Sequence, residues 1–324
     1  MQIQIFSAKI RIYMKFSDIL GQDLAKKILQ GIIKNKRFAG TYLFSGPNGV
    51  GKYLAATAFA AAANCERGGI EACGECLSCK KIAHGSHPDI IRILPLKDKR
   101  YVSIDQLREL QKLVLYGPST GQRLFAIIRE IESPKTEAAN SALKLFEEPP
   151  TGVSLIIVTD RAEAILPTIR SRAQHVIFNA LSPALVKNYL KEHYSLKAEE
   201  LENYYALSGG SLGRVKDIME LLPQVGWIKK GIAEVERRDY ADWVPFIDEF
   251  DQQKEAAESL LNVFMFGLWR RVLAAGGERR WLRAMDAVLE AANSLRRHGN
   301  LRLTLDIMCI RIGANLRAPA GSKA

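Results

Sequence analysis

Short apolar runs alternate with amphipathic segments in the first part of the chain, and only amphipathic helical patterns follow in the second part. Short apolar runs between turn residues predict buried strands, whereas apolar residues at three- and four-residue intervals predict helices that bury one face. Strands that alternate with helices are typical of a parallel sheet covered on both faces. The predicted strands cover residues 42–44, 89–94, 124–128, 154–159 and 174–178.

The helical periodicity is marked by start and stop signals. A capping box at residues 103–106 opens one helix, because its serine and glutamine satisfy each other's free backbone N–H groups. Pro149 and Pro150 end another helix, and a short turn at Gly21 precedes the first. Besides the helix that the capping box opens, the predicted helices cover residues 17–36, 54–63, 136–148, 183–193, 198–207, 212–221, 227–237, 240–249, 254–274, 279–297 and 301–316.

These patterns divide the chain into an α/β P-loop domain with a parallel sheet at residues 14–180, a small three-helix domain at 181–224 and a larger all-α domain at 225–324. Residues 1–13 have no continuous apolar core and no cleavage site, so we expect a loose extension with Met14 as the natural start. No run is long and apolar enough to cross a bilayer, so we expect a cytoplasmic protein without a membrane partner.

A phosphate-binding loop is predicted between the first strand and the helix at 54–63. Residues 46–52, GPNGVGK, fit the pattern G-x-x-x-x-G-K, in which backbone N–H groups, a helix N-terminus and a lysine converge on phosphate. A glycine turn without a ligand is the alternative, which the lysine and the strand-to-helix context disfavour. The candidate phosphate-binding residues are Gly46, Asn48, Gly49, Gly51 and Lys52.

Two residues near this loop stand at positions where a magnesium ion would be bound, and neither can bind it. Tyr53 stands where a serine or threonine hydroxyl would bind the ion, and a phenol places its oxygen too far from the backbone. Arg129 stands after the strand at 124–128, where an aspartate would hold the ion, and Glu130 follows it. We therefore expect no magnesium chemistry and no hydrolysis, while binding of ATP or ADP stays open.

Four cysteines lie within residues 65–79, in a chain with five cysteines and no export signal. Such clustering favours a metal over disulfides. Cys65, Cys73, Cys76 and Cys79 include two C-x-x-C steps that share Cys76, and four thiolates are the closed shell of a structural zinc site. The alternative is four free surface thiols. His84 and His87 lie nearby but are surplus to four thiolates, and Cys309 falls in an apolar helical pattern.

Two arginines follow the strand at 154–159. Arg170 and Arg172 occupy a segment that begins with a helical turn at Pro167. Arginines in such a place can form ion pairs at the sheet edge, or one of them can complete the active site of a neighbouring subunit as an arginine finger. The residues alone favour the ion pair.

The composition does not decide between functions. The hydrophobic fraction of 48% and the charged fraction of 25% are those of an ordinary soluble protein. The net charge of +11 allows a nucleic-acid partner, although a basic balance is common.

Several stretches together resemble the AAA+ subunits of bacterial DNA polymerase III clamp loaders. Residues 140–150, NSALKLFEEPP, are similar to that family's N-A-L-L-K-x-L-E-E-P-P signature, and residues 166–174, LPTIRSRAQ, are similar to L-P-T-I-x-S-R-C-Q. Residues 19–22 and 42–47 resemble the start of that family's sequences, and a four-cysteine insert after the P-loop helix is shared with its gamma/tau and delta-prime members. The matching segments run from about residue 16 to residue 178, and weaker similarity follows at 208–214 and 300–312.

The resemblance implies an AAA+ module, a helical lid at 181–224 and a collar at 225–324 that holds a hetero-pentameric ring. It implies gamma/tau and delta subunits as partners, and work at the replisome in loading the sliding clamp onto primed DNA. By the same resemblance Arg172 matches the family's finger, although the following cysteine is Ala173 here. Thr159 falls near the first sensor and Arg214 near the lid's sensor arginine.

The degraded magnesium residues resemble the delta-prime members of this family, which do not hydrolyse ATP. The leading interpretation is therefore a non-hydrolysing subunit that scaffolds the ring and gives Arg172 in trans. Two alternatives stay open: an active ATPase subunit of the gamma/tau kind, and a zinc-bearing nucleic-acid-binding protein with a dead P-loop.

Overall fold

The computed structural model divides the chain into two compact units, Met1–His193 and Tyr194–Ala324. The predicted extension at 1–13, the helix predicted at 227–237 and most of the helix predicted at 136–148 lie outside the described residues. The domain boundaries predicted after residues 180 and 224 stay predictions. The described residues are 15–96, 101–131, 144–194, 208–221, 278–296 and 299–317, with short pieces between 201 and 272.

The first unit contains a parallel sheet, as the alternating pattern predicts. Its strands are β1 (Thr41–Ser45), β2 (Ile90–Ile93), β3 (Leu124–Arg129), β4 (Val153–Thr159) and β5 (Gln174–Ile177). They lie in the order β2-β3-β4-β1-β5 and pair in parallel throughout. Strands β1 and β4 are buried along their whole length, which explains why both read as continuous apolar runs. The predicted α/β class with a parallel sheet is confirmed.

The helices of this unit begin and end close to the predicted signals. The helix predicted at residues 17–36 is too long at its start, because it begins only at Asp23. Gly21 and Gln22 both have left-handed backbones, and only a 3₁₀ turn at Phe16–Asp18 precedes them. The capping box is present: the Gln106 N–H donates to Ser103 Oγ at 3.3 Å and the Ser103 N–H donates to Gln106 Oε1 at 3.0 Å. The helices are α1 (Asp23–Asn35), α2 (Lys52–Ala63), α3 (Leu77–Ala83), α4 (Ile104–Val114), α5 (Pro167–Arg172) and α6 (Pro183–His193).

Helix α2 is buried along nearly its whole length. Its many alanines let the helix backbone approach the sheet closely, because a methyl group is the largest side chain that most positions present. Phe59, in the middle of the helix, lies edge-on to Tyr42 and Phe125, with ring centroids 5.3 Å and 5.5 Å away. A helix that is apolar all round belongs inside a domain, so α2 is held from several sides.

A buried carboxylate holds the loop that leads into β3. Asp89, which is 1% exposed, accepts hydrogen bonds from the backbone N–H groups of Ser119, Thr120 and Gly121 and from the Ser119 and Thr120 hydroxyls. Burial alone would raise the pKa of Asp89, but the N–H groups at 119–121 outweigh it and lower the pKa to about 2. The carboxylate therefore acts as a cap for three successive amides.

The second unit is helical in its described part. Its long helices are α7 (Leu212–Leu221), α8 (Arg279–Arg296) and α9 (Leu301–Arg317). The Leu303 N–H donates to Asn300 Oδ1 at 3.0 Å, which caps α9 directly after the break at Gly299. Trp243, Phe264 and Trp281 lie in the buried core of this unit. Among the described residues no helix is both long and apolar enough to span a membrane.

Replacing Asp89 by Asn should destabilise the first unit by about 2 kcal/mol at pH 7, since a depression of the pKa from 3.8 to about 2 is worth that much. Because the folded-state pKa is the lower one, the stabilisation is present above pH 3.8 and is lost as the pH falls towards 2. Urea unfolding of both proteins across this range measures it.

Asp23→Asn is the matched control, because Asp23 is an exposed carboxylate whose partner Lys26 lies 3.4 Å away. Its effect should stay below about 1 kcal/mol. If Asp89→Asn lowered the free energy of unfolding no more than the control does, the capping role would be contradicted.

Candidate nucleotide and metal sites

The predicted phosphate loop connects β1 to α2 at the edge of the sheet where the parallel strands end. Gly46, Gly49 and Gly51 have φ of +140°, +74° and +102°, values that side-chain-bearing residues rarely adopt. A Cβ on Gly46 would lie 2.0 Å from the carbonyl oxygen of Phe178, so only glycine fits there. Asn48 is exposed at the tip of the loop. All the predicted loop residues are therefore brought together in one turn before the helix.

The loop is tied to the rest of the unit by Gln22. Its Nε2 donates to the carbonyls of Val50 at 3.3 Å and Asn179 at 2.7 Å, and its Oε1 accepts from the Asn179 N–H at 3.1 Å. The sequence pattern gave no local signal for this role, because the partners lie 28 and 157 residues away.

Lys52 is 5% exposed, and its ammonium group points back into the loop. Nζ donates to the carbonyls of Gly46 at 2.6 Å and Pro47 at 2.7 Å. Burial lowers the pKa of Lys52 to about 8; the nearby charges of Asp160 and Glu130 act in the opposite direction, and Arg129 adds to the lowering. The lysine is still mostly protonated at pH 7 and lies among the groups expected to meet phosphate.

The two residues that replace magnesium-binding groups contact each other. The guanidinium carbon of Arg129 lies 5.6 Å from the ring centroid of Tyr53, within the range of a cation–π interaction. Burial raises the pKa of the Tyr53 phenol, so it stays neutral, while Arg92 and Arg129 oppose that shift. A protonated phenol and a guanidinium offer no anionic ligand, so this pair does not fit a magnesium ion.

Thr159 lies at the end of β4, directly beside Ser45 at the end of β1. It is buried, and its Oγ1 accepts the Arg161 N–H at 3.0 Å. The strand end therefore places Thr159 at the same sheet edge as the phosphate loop. Arg214 lies in the first turn of α7 in the other unit, where its N–H donates to Ser211 Oγ at 3.1 Å.

The four predicted metal ligands come together. The sulfur atoms of Cys65, Cys73, Cys76 and Cys79 all lie within 4.8 Å of one another, and those of Cys73 and Cys79 are 3.9 Å apart. Four sulfurs around one zinc ion at 2.3 Å would be about 3.8 Å apart, so the cluster has the size of a four-thiolate site. The group can hold a metal ion and is compatible with zinc.

Backbone N–H groups point at these sulfurs, as expected around thiolates. Cys73 Sγ accepts from the N–H groups of Glu75 at 3.5 Å and Cys76 at 3.3 Å, and these bonds lower the pKa of Cys73 to about 6. Cys76 Sγ accepts from the Cys79 N–H at 3.4 Å, at the start of α3. Burial raises the pKa of Cys79, a cost that a bound cation would offset.

The predicted surplus histidines have other partners. His87 Nδ1 accepts the Asp89 N–H at 3.1 Å, so the neutral ring carries its proton on Nε2 and faces Ser78 Oγ at 3.1 Å. The Ser78 hydroxyl in turn donates to the Asn64 carbonyl at 2.7 Å. This buried chain joins the cysteine insert to the end of α2 and to Asp89, and no sequence motif marked it.

Arg172, the predicted finger, ends α5 and is half-exposed. Its Nη1 lies 3.4 Å from Glu148 Oε1 and 3.5 Å from the Glu147 carbonyl. The predicted ion pair therefore exists, and it belongs to Arg172. Because both side chains are more than half exposed, such a pair contributes at most about 1 kcal/mol and leaves the guanidinium accessible.

A sequence model of the family described as "DNA polymerase III, delta subunit" matches residues 21–182, which is half of the chain. The chain belongs to this family. The resemblance to clamp-loader subunits is thereby confirmed. The matched region covers the phosphate loop, the cysteine insert and Arg172, and so contains both candidate sites of this DNA polymerase III family member.

Curated relatives carry two subunit names. DNA polymerase III subunit tau of Bacillus subtilis is 34% identical over 237 residues, and subunit delta' of the same organism is 29% identical over 257 residues. The alignments cover 71% and 75% of this chain. They span 41% of the tau subunit and 76% of the delta' subunit. Subunit delta' of Pseudomonas aeruginosa is 34% identical over 175 residues, about half of each protein.

Among solved structures, a gamma subunit-related protein of Thermotoga maritima aligns over 90% of this chain and 100% of its own length. Its sequence identity is 15% and its TM-score is 0.46.

Protein purified without added metal should contain about one equivalent of a tightly bound ion, which we expect to be zinc, because the four sulfurs have the spacing of one closed shell. Cys76→Ser should lose the ion and loosen the insert at residues 65–79 more than the sheet, since the insert is a local loop that is not part of the sheet. Metal analysis and amide hydrogen exchange of the insert and the strands measure both effects.

Cys309→Ser is the matched control, since Cys309 is buried in the second unit, and it should keep the metal content unchanged. Four freely titratable thiols in folded, metal-free protein would contradict the site.

Proposed function

We propose that this chain is a clamp-loader subunit of the delta-prime kind, which does not hydrolyse ATP, scaffolds the ring and gives Arg172 to a neighbour's ATP site. The observation that carries the proposal is the contact of Arg129 with Tyr53 at the two positions where magnesium would be held. A subunit that cannot hold magnesium cannot carry out metal-assisted phosphoryl transfer in its own site.

The proposed partners come from the family resemblance. They are gamma/tau and delta subunits in a hetero-pentameric ring, with the sliding clamp and primed DNA reached through the complex. The membership of a DNA polymerase III family supports this assignment, and the relatives named delta' support the subunit type. The net charge of +11 is compatible with work near DNA.

The proposed finger rests on the accessibility of Arg172. An arginine that reaches a neighbouring subunit must be exposed and free to leave any local partner. Arg172 is 53% exposed, and its partner Glu148 is 85% exposed, so their ion pair exchanges readily with solvent or with a phosphate. Thr159 and Arg214 stand where the family carries sensors, and we infer that they have no hydrolysis to sense in this chain.

We infer that the metal is zinc and that its role is structural. Four thiolates close the coordination shell and leave no position for a substrate. The site lies directly after α2 and joins the unit's core through Ser78 and Asn64, so the ion fixes the insert against the end of that helix.

A second candidate is an active ATPase subunit of the gamma/tau kind. The observation in its favour is the 34% identity to the Bacillus subtilis tau subunit over 237 residues. Tyr53 and Arg129 argue against it for the reason given above.

The isolated chain should show no ATP hydrolysis above background, because no ligand for magnesium is present at Tyr53 or Arg129. A steady-state assay with magnesium, with and without DNA, measures it. Hydrolysis well above background that Lys52→Ala abolishes would support the gamma/tau candidate instead, since only the chain's own phosphate loop would then be at work.

Arg172→Ala should leave folding, metal content and ring assembly intact, because it removes only an exposed ion pair. In the assembled complex it should lower clamp- and DNA-stimulated ATP hydrolysis, although this chain is not the ATPase. ATP hydrolysis at the interface that Arg172 completes should slow by about 10³-fold or more. The hydrolysis rate of the whole complex should then fall to the rate that the other interfaces contribute.

Arg170→Ala is the matched control, two residues away on the same helix. It should leave the ATPase rate of the complex unchanged. A complex with Arg172→Ala that assembles, hydrolyses ATP and loads the clamp at the unaltered rate would show that Arg172 is only structural.

A further inference from the structure

We propose that the phosphate loop of this chain binds the diphosphate of a nucleotide without a divalent ion, with the guanidinium of Arg129 in the charge-neutralising role of magnesium. The inference deepens the proposed function, because it assigns a ligand to a site that does not hydrolyse. The ligand class is a nucleoside di- or triphosphate, recognised through its phosphates.

The loop supplies the features that bind phosphate. Gly46, Gly49 and Gly51 have positive φ, a backbone geometry that allows loop N–H groups to converge on an anion, and α2, which is twelve residues long, starts directly behind them. Lys52 is buried at this place with two neutral carbonyls as acceptors, at 2.6 Å and 2.7 Å. Phosphate oxygens are stronger acceptors for an ammonium group than carbonyls, so a ligand can replace these bonds with better ones.

Arg129 supplies the second positive charge, at the same edge of the sheet as the phosphate loop. It ends β3, next to β4 and its terminal Thr159, and its guanidinium lies over the ring of Tyr53, the residue after Lys52. A guanidinium that stacks on an aromatic ring keeps its N–H donors in a fixed plane, where two of them can meet two phosphate oxygens. Arg92 also lies close enough to act on the Tyr53 phenol.

Magnesium does not fit the same place. Two like charges repel, and the cation of Arg129 stands where an ion would need an anionic ligand. Asp160 and Glu130 are the acids whose charges reach Lys52, and Arg129 is the cation whose charge reaches it. The proposal therefore assigns Lys52 and Arg129 to the phosphates as the two cations that take the place of a divalent ion.

The test measures the affinity of the full chain for ADP and ATP by calorimetry, once with excess EDTA and once with excess magnesium. The expected dissociation constants agree within about twofold in the two conditions. Inorganic pyrophosphate should compete, which shows that the diphosphate carries recognition; failure of pyrophosphate to compete would contradict recognition through phosphates.

Variants locate the charge. In EDTA, Arg129→Gln should weaken ADP binding at least about tenfold, and Arg129→Lys should weaken it less. The double variant Tyr53→Thr with Arg129→Asp should bind only when magnesium is added, because it restores a hydroxyl and a carboxylate for the ion. Arg108→Gln is the control, since Arg108 is exposed on α4 and pairs with Asp105, and it should leave the affinity unchanged.

An Arg129→Gln variant that folds and binds ADP as tightly as the unaltered chain would overturn the inference. So would either of two results with the unaltered chain: no binding of ADP or ATP, or binding that needs magnesium. Because this comparison uses the unaltered chain, it decides the matter even where a variant does not fold. If the unaltered chain assembles into the ring but does not bind ADP or ATP without magnesium, the inference fails and the proposed function stands. Metal-free binding by a chain that does not assemble with gamma/tau subunits would refute the proposed function and keep the inference.

Discussion

The burial of α2 is the constraint on which both candidate sites depend. The helix is covered on nearly every side and packs through Phe59 against Tyr42 and Phe125 in the sheet. Lys52 is its first residue, and Cys65 follows two residues after its last. A helix of twelve residues is about 18 Å long, so one rigid rod sets the distance between the phosphate loop and the cysteine cluster.

Polar contacts across long stretches of chain keep this rod in register with the sheet. Asn64, just beyond α2, donates to the Arg123 carbonyl at 2.8 Å and accepts the Arg123 N–H at 3.1 Å, in the manner of one rung of a strand ladder. Buried groups of this kind are costly when unpaired, so each of them narrows the number of ways in which the helix can lie on the sheet. The cysteine insert and the loop before β3 are thereby fixed to the same helix end.

The sequence was sufficient for features that depend on local patterns. Short, mostly apolar runs predicted the five strands of the sheet within a few residues. The runs at β3 and β4 are nearly continuous because these strands are buried on both faces. The cysteine spacing and the glycine loop identified residues that do come together. The sequence assigned Tyr53 and Arg129 to one site, but it did not predict that their side chains contact each other. The cap that Asp89 forms on residues 119–121 was not predicted either, because it joins segments about 30 residues apart that are neighbours only in the folded sheet.

The contact between Tyr53 and Arg129 also couples the two positions to each other. Tyr53→Thr alone would leave the guanidinium of Arg129 without its aromatic partner, and Arg129→Asp alone would put a carboxylate against the face of the Tyr53 ring. Neither single variant restores both the hydroxyl and the carboxylate that would hold a magnesium ion. The effects of substitutions at positions 53 and 129 are therefore expected to be strongly non-additive, because each residue is the contact partner of the other.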